Sequence, residues 1–572
     1  MFFPMLKGTR LQRVTETKLP GLDRRESAAT PGFREMENLC SEGYPALRTR
    51  PGRGLVETLK KPNGLLAKDA LLWVDGKHLY MNGLEVGPEL TDGEKSLVSM
   101  GAYVVVFPDK VYVNTQDVTD CGSLECERTA PAGSGLALCD ETGTAYSGVT
   151  ESAGAPEEPR EGALWLDLSG TEPVLRQYSR EVWTALEGVC VKVQATGIGT
   201  GFAAGDGVEV SGCSVARLNG ETVLQAADTD WVAFPGTVAG GAVTETAMKL
   251  RRFVPEMDYV VQSGNRLWGC KYGMVDGKPV NEIYASKLGD CKNWRCFAGL
   301  ATDSYAAARG SDGVFTGAVS YLGNPIFFKE RCMERVYASG SGAHQIVTTE
   351  CSGVQKGSAR SLQVVGGVLY YLSGDGVQAF DGSLPVCVSQ ALGAEHYHGG
   401  VAGCWQEKYY LSALDREEKP SLLVYDSARQ LWHREDALRA VDFAGRGTEL
   451  YALGTDGRLW GLHGQSGQAE GTFSWQVETG EMGMQSPERK RLTQLFLYLR
   501  PEKGQAVTAW VSYDQGETWI RQGQIVGSGG IREQAIAIRP RQCSRLRLRL
   551  TGSGQCTLYA LTALYEKGSD GL

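Results

Sequence analysis

Pairs of short apolar strands joined by tight turns recur along most of this chain, and this repeat limits its fold more than any other feature. In LLWVDGKHLYMNG (71–83) two strands flank Asp75-Gly76, and AYVVVFPDKVYVNT (102–115) repeats the plan around a Pro-Asp turn. An Asp-Gly pair between alternating apolar runs is the strongest short-range signal of a β-hairpin. The repeat therefore predicts an all-β fold built from antiparallel hairpins.

Similar units return after residue 257, for example GVLYYLSGDGVQAFDG (367–382) and TELYALGTDGRLWGLHG (448–464). Units of about 35 to 50 residues with paired hairpins are typical of β-propeller blades. Their divergence leaves the number of blades open. Glycine accounts for 74 of the 572 residues, nearly twice its usual share of ~7%, which agrees with many tight turns. We predict a β-propeller over residues 67–119 and 257–465.

The segment between the two parts of the propeller, residues 120–256, has a different composition. It contains a polar stretch rich in Gly, Pro and Glu, YSGVTESAGAPEEPREG (146–162), which has too few apolar residues to form a core. Short strands follow, separated by turns at 205–207 and 219–220. This pattern predicts a small β-barrel-like domain, with a polar linker, inserted into a propeller loop.

The two ends of the chain differ from the repeat and from each other. Residues 466–572 contain long strands of well-alternating polarity, which predict a C-terminal antiparallel β-sandwich. Residues 1–66 contain six prolines and little periodicity, and predict an extended N-terminal arm that lies on another surface.

Charge and cysteine content exclude several classes of protein. The net charge of -9 argues against a general binder of nucleic acid or anionic membranes. The sequence has no signal-peptide pattern and no apolar run of about 18 residues, so we expect neither secretion nor a membrane span. The 15 cysteines then indicate reduced thiols. The C-x4-C pairs at 121–126 and 291–296 lack nearby histidines, and zinc binding is disfavoured.

The stretch SYDQGETW (512–519) has the order of an Asp-box, which is known from sialidases and other propeller proteins that act on carbohydrates. Its residues suit a tight turn, with Asp bonding backbone groups and Trp packing below. A single copy in the predicted sandwich favours a structural corner over a catalytic site. The residues of this predicted turn are Ser512, Asp514, Gly516, Thr518 and Trp519.

No local pattern points to catalysis. A glycosidase requires paired carboxylates, but the 67 acidic residues show no signature that singles out one pair. The H-x-H in EHYHGG (395–400) could ligate a metal, although an ordinary loop is the better interpretation. We therefore expect no catalytic, cofactor-binding or metal-binding residues.

Arginines concentrate in one C-terminal strand. Period-2 alternation in RLRLRL (545–550) places the arginines on one face and the leucines on the other. This basic strip is either a solvated face or an interface with an acidic partner. The candidate interface residues, with two from the N-terminal segment, are Arg24, Arg25, Arg541, Arg545, Arg547 and Arg549.

The segment GLDRRESAATPGFREMENLCSEGYPALRTRPGR (21–53) resembles the opening of bacteriophage tail hub or nozzle proteins, also called stabilisation or tail accessory proteins. Parts of the insert and the C-terminal ending are similar to proteins of the same type. The matching N-terminal positions are Gly21, Leu22, Gly32, Phe33, Met36, Asn38, Leu39, Pro45, Leu47, Arg50 and Gly52.

The resemblance implies a virion structural protein without catalytic turnover or cofactor. It would assemble in the host bacterial cytoplasm as a homo-oligomeric ring, commonly a hexamer, in the tail. It would contact the portal or an adaptor protein and other tail proteins or fibres, and genomic DNA would pass through its channel during ejection. Two alternatives remain: a tail or baseplate component that binds host glycans, and a propeller glycoside hydrolase with carboxylates in its central pocket.

Overall fold

The computed structural model of the protein describes residues 11–25, 32–239, 243–244, 248–337, 343–483 and 488–567. In these ranges the chain is built from β-strands, with three single-turn 3-10 helices and no α-helix. No helix there is both long and apolar enough to cross a membrane. The all-β prediction is confirmed: a propeller carries an inserted β-domain and a C-terminal sandwich. The 3-10 helices are Ala216–Leu218, Ala359–Ser361 and Gln390–Leu392.

Seven antiparallel sheets form a closed ring, which makes the propeller seven-bladed. Neighbouring blades meet through their innermost strands, and the helix Ala359–Ser361 lies between blades 4 and 5. In the first six blades each strand pairs with the next one in sequence, as hairpins require. From the innermost strand outwards, the first six are blade 1 (Pro62–Ala67, Leu71–Asp75, His78–Met81, Leu84–Val86), blade 2 (Ser96–Met100, Tyr103–Phe107, Val111–Asn114, Cys121–Ser123), blade 3 (Tyr259–Ser263, Arg266–Val275, Lys278–Ala285, Tyr305–Ala308), blade 4 (Gly317–Tyr321, Asn324–Phe328, Cys332–Tyr337, Gln345–Glu350), blade 5 (Gln363–Val365, Val368–Ser373, Gly376–Phe380, Val386–Cys387) and blade 6 (His398–Trp405, Lys408–Leu414, Pro420–Asp426, Leu431–Arg434).

Blade 7 closes the ring with a strand from the other end of the propeller sequence. Its inner strands are Ala440–Arg446, Glu449–Gly454 and Arg458–Gly461, and Gly54–Thr58 pairs with the last of these. The short strand Gln468–Ala469 lies outermost. Because residues far apart in sequence share this sheet, the first and last blades are held together.

Blades pack on each other through both faces, which explains their continuous apolar runs. Val104 and Val106 of blade 2 belong to the core shared with blade 1, whereas Val105 belongs to the core shared with blade 3. Blades 6 and 7 approach closely at Gly403, where a Cβ atom would lie 2.7 Å from Cβ of Phe443. Close approach of this kind is one reason for the high glycine content.

The insert forms three small sheets around one apolar core, between blades 2 and 3. This is the small β-domain that the change of composition predicted. The sheets, in pairing order, are Cys126–Ala130, Met248–Arg252, Gly207–Ser211 and Gly220–Val223; Ala226–Asp228, Trp231–Pro235, Cys190–Gln194, Gly135–Cys139 and Val243–Thr244; and Val149–Ser152, Leu164–Asp167, Val174–Ser179 and Val182–Ala185.

Two sheets pack face to face in the C-terminal sandwich, and their inward leucines and valines form its core. Sheet one has the order Leu39–Cys40, Leu47–Thr49, Cys556–Lys567, Lys490–Pro501 and Arg532–Ala537, with Leu11–Glu16 paired to Cys556–Lys567 and Gln542–Cys543 paired to Lys490–Pro501. Sheet two has the order Phe33–Glu37, Ser474–Thr479, Arg547–Ser553, Ala506–Ser512 and Ile520–Val526.

The predicted N-terminal arm of residues 1–66 is largely part of these two domains. Of this segment, residues 1–10 and 26–31 lie outside the described residues. Four of its six described strands pair with partners about 400 residues away or more, such as Leu11–Glu16 on Cys556–Lys567. Short strands without sustained alternation carry no local signal for such distant pairing, and for this reason the segment looks like an arm in the sequence.

Candidate functional site

A cavity of about 800 Å³ lies at the centre of the propeller, where the innermost strands begin. Its wall includes the first residues of several of these strands, among them Pro62 of blade 1, Ser96 of blade 2 and Tyr259 of blade 3. Such a volume accommodates a ligand of a few sugar rings. The polar side chains in the wall are Asn63, Glu94, Ser96, Asp258, Tyr259, Arg360, Arg439 and Thr455.

Arg360 lines this cavity and holds two carboxylates, Glu94 of the cavity wall and Asp442, which is not among the lining residues. Its guanidinium is fixed by backbone carbonyls, since Nη1 donates to Val441 at 2.6 Å and Nη2 donates to Lys95 at 2.7 Å. The same group forms ion pairs with Glu94 at 3.2 Å and with Asp442 at 3.5 Å. Glu94 follows the last strand of blade 1, and Asp442 lies in the innermost strand of blade 7. Closure of the ring between these two blades therefore brings both acids to Arg360.

The two carboxylates have different environments. The Glu94 side chain is 74% exposed, whereas that of Asp442 is 22% exposed. Burial raises the pKa of Asp442, and the charge of Arg360 only partly offsets this effect. The Asp442 carboxylate also accepts a hydrogen bond from the Phe443 amide at 2.9 Å. A pair of acids with such unequal surroundings suits one proton donor and one carboxylate base.

Tyr259 supplies a neutral hydroxyl to the same wall. Burial, followed by the charges of Cys270, Asp258 and Glu94, raises its pKa to about 12, so its phenol stays protonated. The third acid, Asp258, is occupied structurally, because it accepts hydrogen bonds from Lys271 Nζ at 2.7 Å and from a backbone amide at 2.9 Å. The Tyr259 hydroxyl is therefore available to a ligand, whereas the Asp258 carboxylate is used in hydrogen bonds within blade 3.

The Asp-box residues lie in the sandwich, in the turn between Ala506–Ser512 and Ile520–Val526. Asp514 Oδ1 accepts hydrogen bonds from the Ser512 hydroxyl at 2.7 Å and the Thr518 amide at 2.9 Å. The Thr518 hydroxyl donates to Oδ2, and the Gly516 amide donates to Ser512 Oγ at 2.8 Å. These bonds close the turn on itself, away from the propeller cavity.

The basic strip is neutralised within the chain. Arg545 and Arg547 lie 3.9 and 3.6 Å from the Glu481 carboxylate. Arg549 pairs with Glu478 at 2.6 Å. Its guanidinium also lies 3.9 Å from the centre of the Trp519 ring, below the Asp-box turn. Much of the positive charge that an acidic partner could bind is therefore already in ion pairs within the chain.

The other candidate interface arginines also have partners in the chain. Arg24 pairs with Glu35 at 2.9 Å, and Arg25 pairs with Asp23 at 2.6 Å. The Arg541 guanidinium lies 5.6 Å from the centre of a tyrosine ring. Of the six predicted arginines, Arg24 and Arg549 come near each other, because their partners Glu35 and Glu478 are paired in register on neighbouring strands of sheet two.

The histidine pair of EHYHGG does not gather further metal ligands. His398 Nε2 lies 3.1 Å from the Glu418 carboxylate. Across the described parts of the chain, no group of three His, Cys, Asp or Glu side chains has the spacing of a metal site.

Sequence reasoning missed the carboxylate cluster because its members are distant in sequence. Glu94 precedes blade 2, Arg360 lies on a single-turn helix, and Asp442 lies in the innermost strand of blade 7. The available signal was the acid in AVDFAG (440–445), since a charged residue within an otherwise apolar inner strand is unusual.

No protein-family model and no curated protein match this chain. Among solved structures, an exo-beta-1,3-galactanase from Phanerochaete chrysosporium matches with 10% identity over 53% of this chain and 94% of its own, at a TM-score of 0.21. A glycoside hydrolase family 43 arabinoxylan arabinofuranohydrolase from Bacillus subtilis matches with 9% identity over 54% of this chain and 94% of its own, at a TM-score of 0.15. The endosialidase of phage phi92 matches with 9% identity over 78% of this chain and 60% of its own, at a TM-score of 0.17.

The three structures named above are glycoside hydrolases and an endosialidase, and this finding stands against the expectation that the chain is not an enzyme. At these TM-scores the likeness carries no argument about the substrate or the residues of this chain.

Proposed function

We propose that the propeller cavity binds a glycan and cleaves a glycosidic bond, with Asp442 as the proton donor and Glu94 as the second carboxylate. One observation carries the proposal: a single guanidinium, Arg360, holds two carboxylates of unequal burial at the centre of the propeller. We propose a bacteriophage tail as the setting, on the basis of the N-terminal resemblance. The protein would then be a tail component that acts on glycans of the host surface.

The two acids divide the work of hydrolysis. Asp442, whose pKa is raised by burial, is the proposed donor of a proton to the leaving oxygen. Glu94, which is exposed, either activates a water molecule or attacks the sugar directly, and the anomeric form of the first product distinguishes these routes. Arg360 keeps both side chains in place through the bonds to backbone carbonyls.

The rest of the wall suits a sugar ring. Asn63, Thr455 and the protonated Tyr259 offer hydrogen bonds to hydroxyl groups, whereas Phe107 and Met257 offer apolar contact. Sites that combine a few polar groups with apolar and aromatic side chains are typical of small-molecule pockets.

The direct experiment is cleavage by the full chain of a panel of bacterial surface polysaccharides, measured as new reducing ends. Glu94→Gln should lower kcat by about 10²-fold or more, the usual contribution of a positioned acid or base. The matched control is Glu417→Gln, an exposed acid in a blade 6 loop that should leave kcat unchanged. A chain that cleaves none of these glycans, or a variant as active as the wild type, would contradict the proposal.

A second proposed role is structural: a homo-oligomeric tail ring that joins the portal or its adaptor to other tail proteins. The observation in its favour is that the positions of the tail-protein resemblance hold the domains together. Leu22 forms bridges both to Phe33 of sheet two and to Trp432 of blade 6, and its amide donates to the Trp432 carbonyl at 2.6 Å. The resemblance therefore concerns architecture, which a scaffold requires.

Native mass spectrometry of the purified chain, alone and with its portal complex, tests the ring. A hexamer, or another closed ring that binds the portal, is expected. A chain that stays monomeric in both samples would exclude the ring and leave the glycan proposal intact.

A further inference from the structure

A second cavity, of about 580 Å³, lies on the outer face of sheet one of the sandwich. Basic side chains dominate the charge of its wall, which includes Arg48, Arg500 and Lys503, with Glu502 as the one acid among its described lining residues. The net charge of the whole chain is -9, so this local excess of positive charge runs against the overall balance. Such an excess favours an anionic ligand.

Strand register places the two arginines in one row. Arg48 is paired with Thr557 on one side, and Arg500 is paired with Thr557 on the other. Since neighbouring strands lie about 4.8 Å apart, the two arginine Cα atoms are separated by about 10 Å, with a threonine hydroxyl between them. Two guanidinium groups and one hydroxyl thus face the same space.

These cations have no carboxylate partner. Among the residues that the structure describes, no acid lies within ion-pair distance of Arg48, Arg500 or Lys503. Within the described ranges, the one hydrogen bond of the Arg500 side chain joins Nε to the Gly529 carbonyl at 3.4 Å, and its two Nη atoms have no partner there. Glu502 is engaged elsewhere, because it accepts a hydrogen bond from the Gln555 amide at 2.9 Å. Like charges held side by side repel one another unless an anion lies between them.

Aromatic rings border the row. Tyr559 lines the cavity, and its ring centre lies 5.5 Å from that of Tyr498, which is 43% exposed. This tyrosine pair, of which Tyr498 is exposed and Tyr559 partly buried, offers an apolar face next to charge-assisted donors. A sugar ring that carries a carboxylate presents the complementary pair of surfaces.

We propose that this cavity, the sandwich groove, binds a saccharide that bears a carboxylate. Arg48 and Arg500 bind the carboxylate from two sides with the geometry that guanidinium groups offer to carboxylates, and Tyr559 packs on the ring. A single row of cations in a concave site suits one anionic sugar. A nucleic acid would require basic residues repeated along a longer track. The groove is separate from the propeller cavity, and its binding stands independently of the proposed cleavage.

Calorimetric titration of the full chain with trigalacturonic acid, with α2,8-linked trisialic acid and with neutral galactotriose tests the groove. At least one anionic trisaccharide should bind at least tenfold more tightly than galactotriose, and the two acids distinguish a uronate from a sialate ligand. The double variant Arg48→Gln with Arg500→Gln should weaken that binding at least tenfold. The matched control, Arg521→Gln, removes an exposed arginine of sheet two and should change nothing.

Thr557→Val keeps both arginines, removes the hydroxyl between them and should weaken binding severalfold. This variant tests the groove even if the double arginine variant does not fold. The proposal is overturned if neither acid binds, if galactotriose binds equally well, or if both sets of groove variants bind like the wild type. It is also overturned if single-stranded DNA binds more tightly than both acids and loses affinity in the double variant. Cleavage of a neutral substrate should be unchanged in the groove variants, so failure here is distinguishable from failure of the propeller site.

Discussion

The propeller cavity and the Asp-box turn both contain acidic side chains, but they use them in opposite ways. In the turn, the Asp514 carboxylate accepts hydrogen bonds from Ser512 and Thr518, and these bonds lower its pKa to about 2. In the cavity, burial raises the pKa of Asp442, and Glu94 remains exposed to a ligand. The Asp-box thus stabilises a hairpin, whereas Glu94 and Asp442, the acids proposed for catalysis, belong to no recognisable sequence motif.

The largest change in stability is expected where the chain passes from the sandwich strand Leu47–Thr49 into the blade 7 strand Gly54–Thr58. Arg53 is 4% exposed and pairs with Glu435 at 3.0 Å and with Asp436 at 2.7 Å. Arg53→Ala leaves buried acids without their partner and should lower the free energy of unfolding by about 3 to 5 kcal/mol. Chemical denaturation measures this loss.

The control for Arg53→Ala is Arg458→Ala, which removes an exposed ion pair and should cost less than about 1 kcal/mol. Equal effects of the two substitutions would mean that this buried network does not fix the segment before blade 7 against the end of blade 6.

A smaller effect is expected inside the propeller alone. Gly403→Ala places a Cβ atom against Phe443 and should lower the free energy of unfolding by about 1 to 3 kcal/mol through overpacking. The control is Gly445→Ala, because a Cβ atom at that position would lie 3.6 Å from its nearest neighbour. Gly447 is unsuitable as a control because its φ is positive. If both alanines are tolerated equally, blades 6 and 7 are less tightly packed than described.

The turn should tolerate change without loss of chemistry. Asp514→Ala removes the acceptor that closes the Asp-box and should lower the melting temperature slightly. Glycan cleavage should stay at the wild-type rate. Loss of cleavage at an unchanged melting temperature would contradict the structural role of the Asp-box and indicate that it takes part in catalysis.

The pH dependence of stability should have opposite signs at the two acids. The raised pKa of Asp442 means that its contribution is greatest when the group is protonated, and it is lost as pH rises through the folded-state pKa. The lowered pKa of Asp514 gives a contribution that is present above the unfolded-state value of about 4 and is lost as pH falls toward 2. Denaturation of Asp442→Asn and Asp514→Asn against the wild type at several pH values measures both slopes, and slopes of the same sign would contradict the assignment.

What the sequence allowed us to predict was local. Asp75-Gly76 marks a hairpin because Gly76 has a φ of +61°, which a tight turn requires and glycine adopts without cost. Closure of the ring by Gly54–Thr58 is not local, so the blade number stayed open. The pairing of Glu94 and Asp442 through Arg360 follows only from that closure, and no spacing along the chain encodes it.

The most direct test of the central claim measures binding and cleavage of one glycan substrate by Asp442→Asn. The amide cannot supply the proton, so kcat should fall by about 10² to 10⁴-fold, whereas the dissociation constant should stay close to that of the wild type. Cleavage at the wild-type rate by Asp442→Asn would contradict the claim that the propeller cavity carries the chemistry.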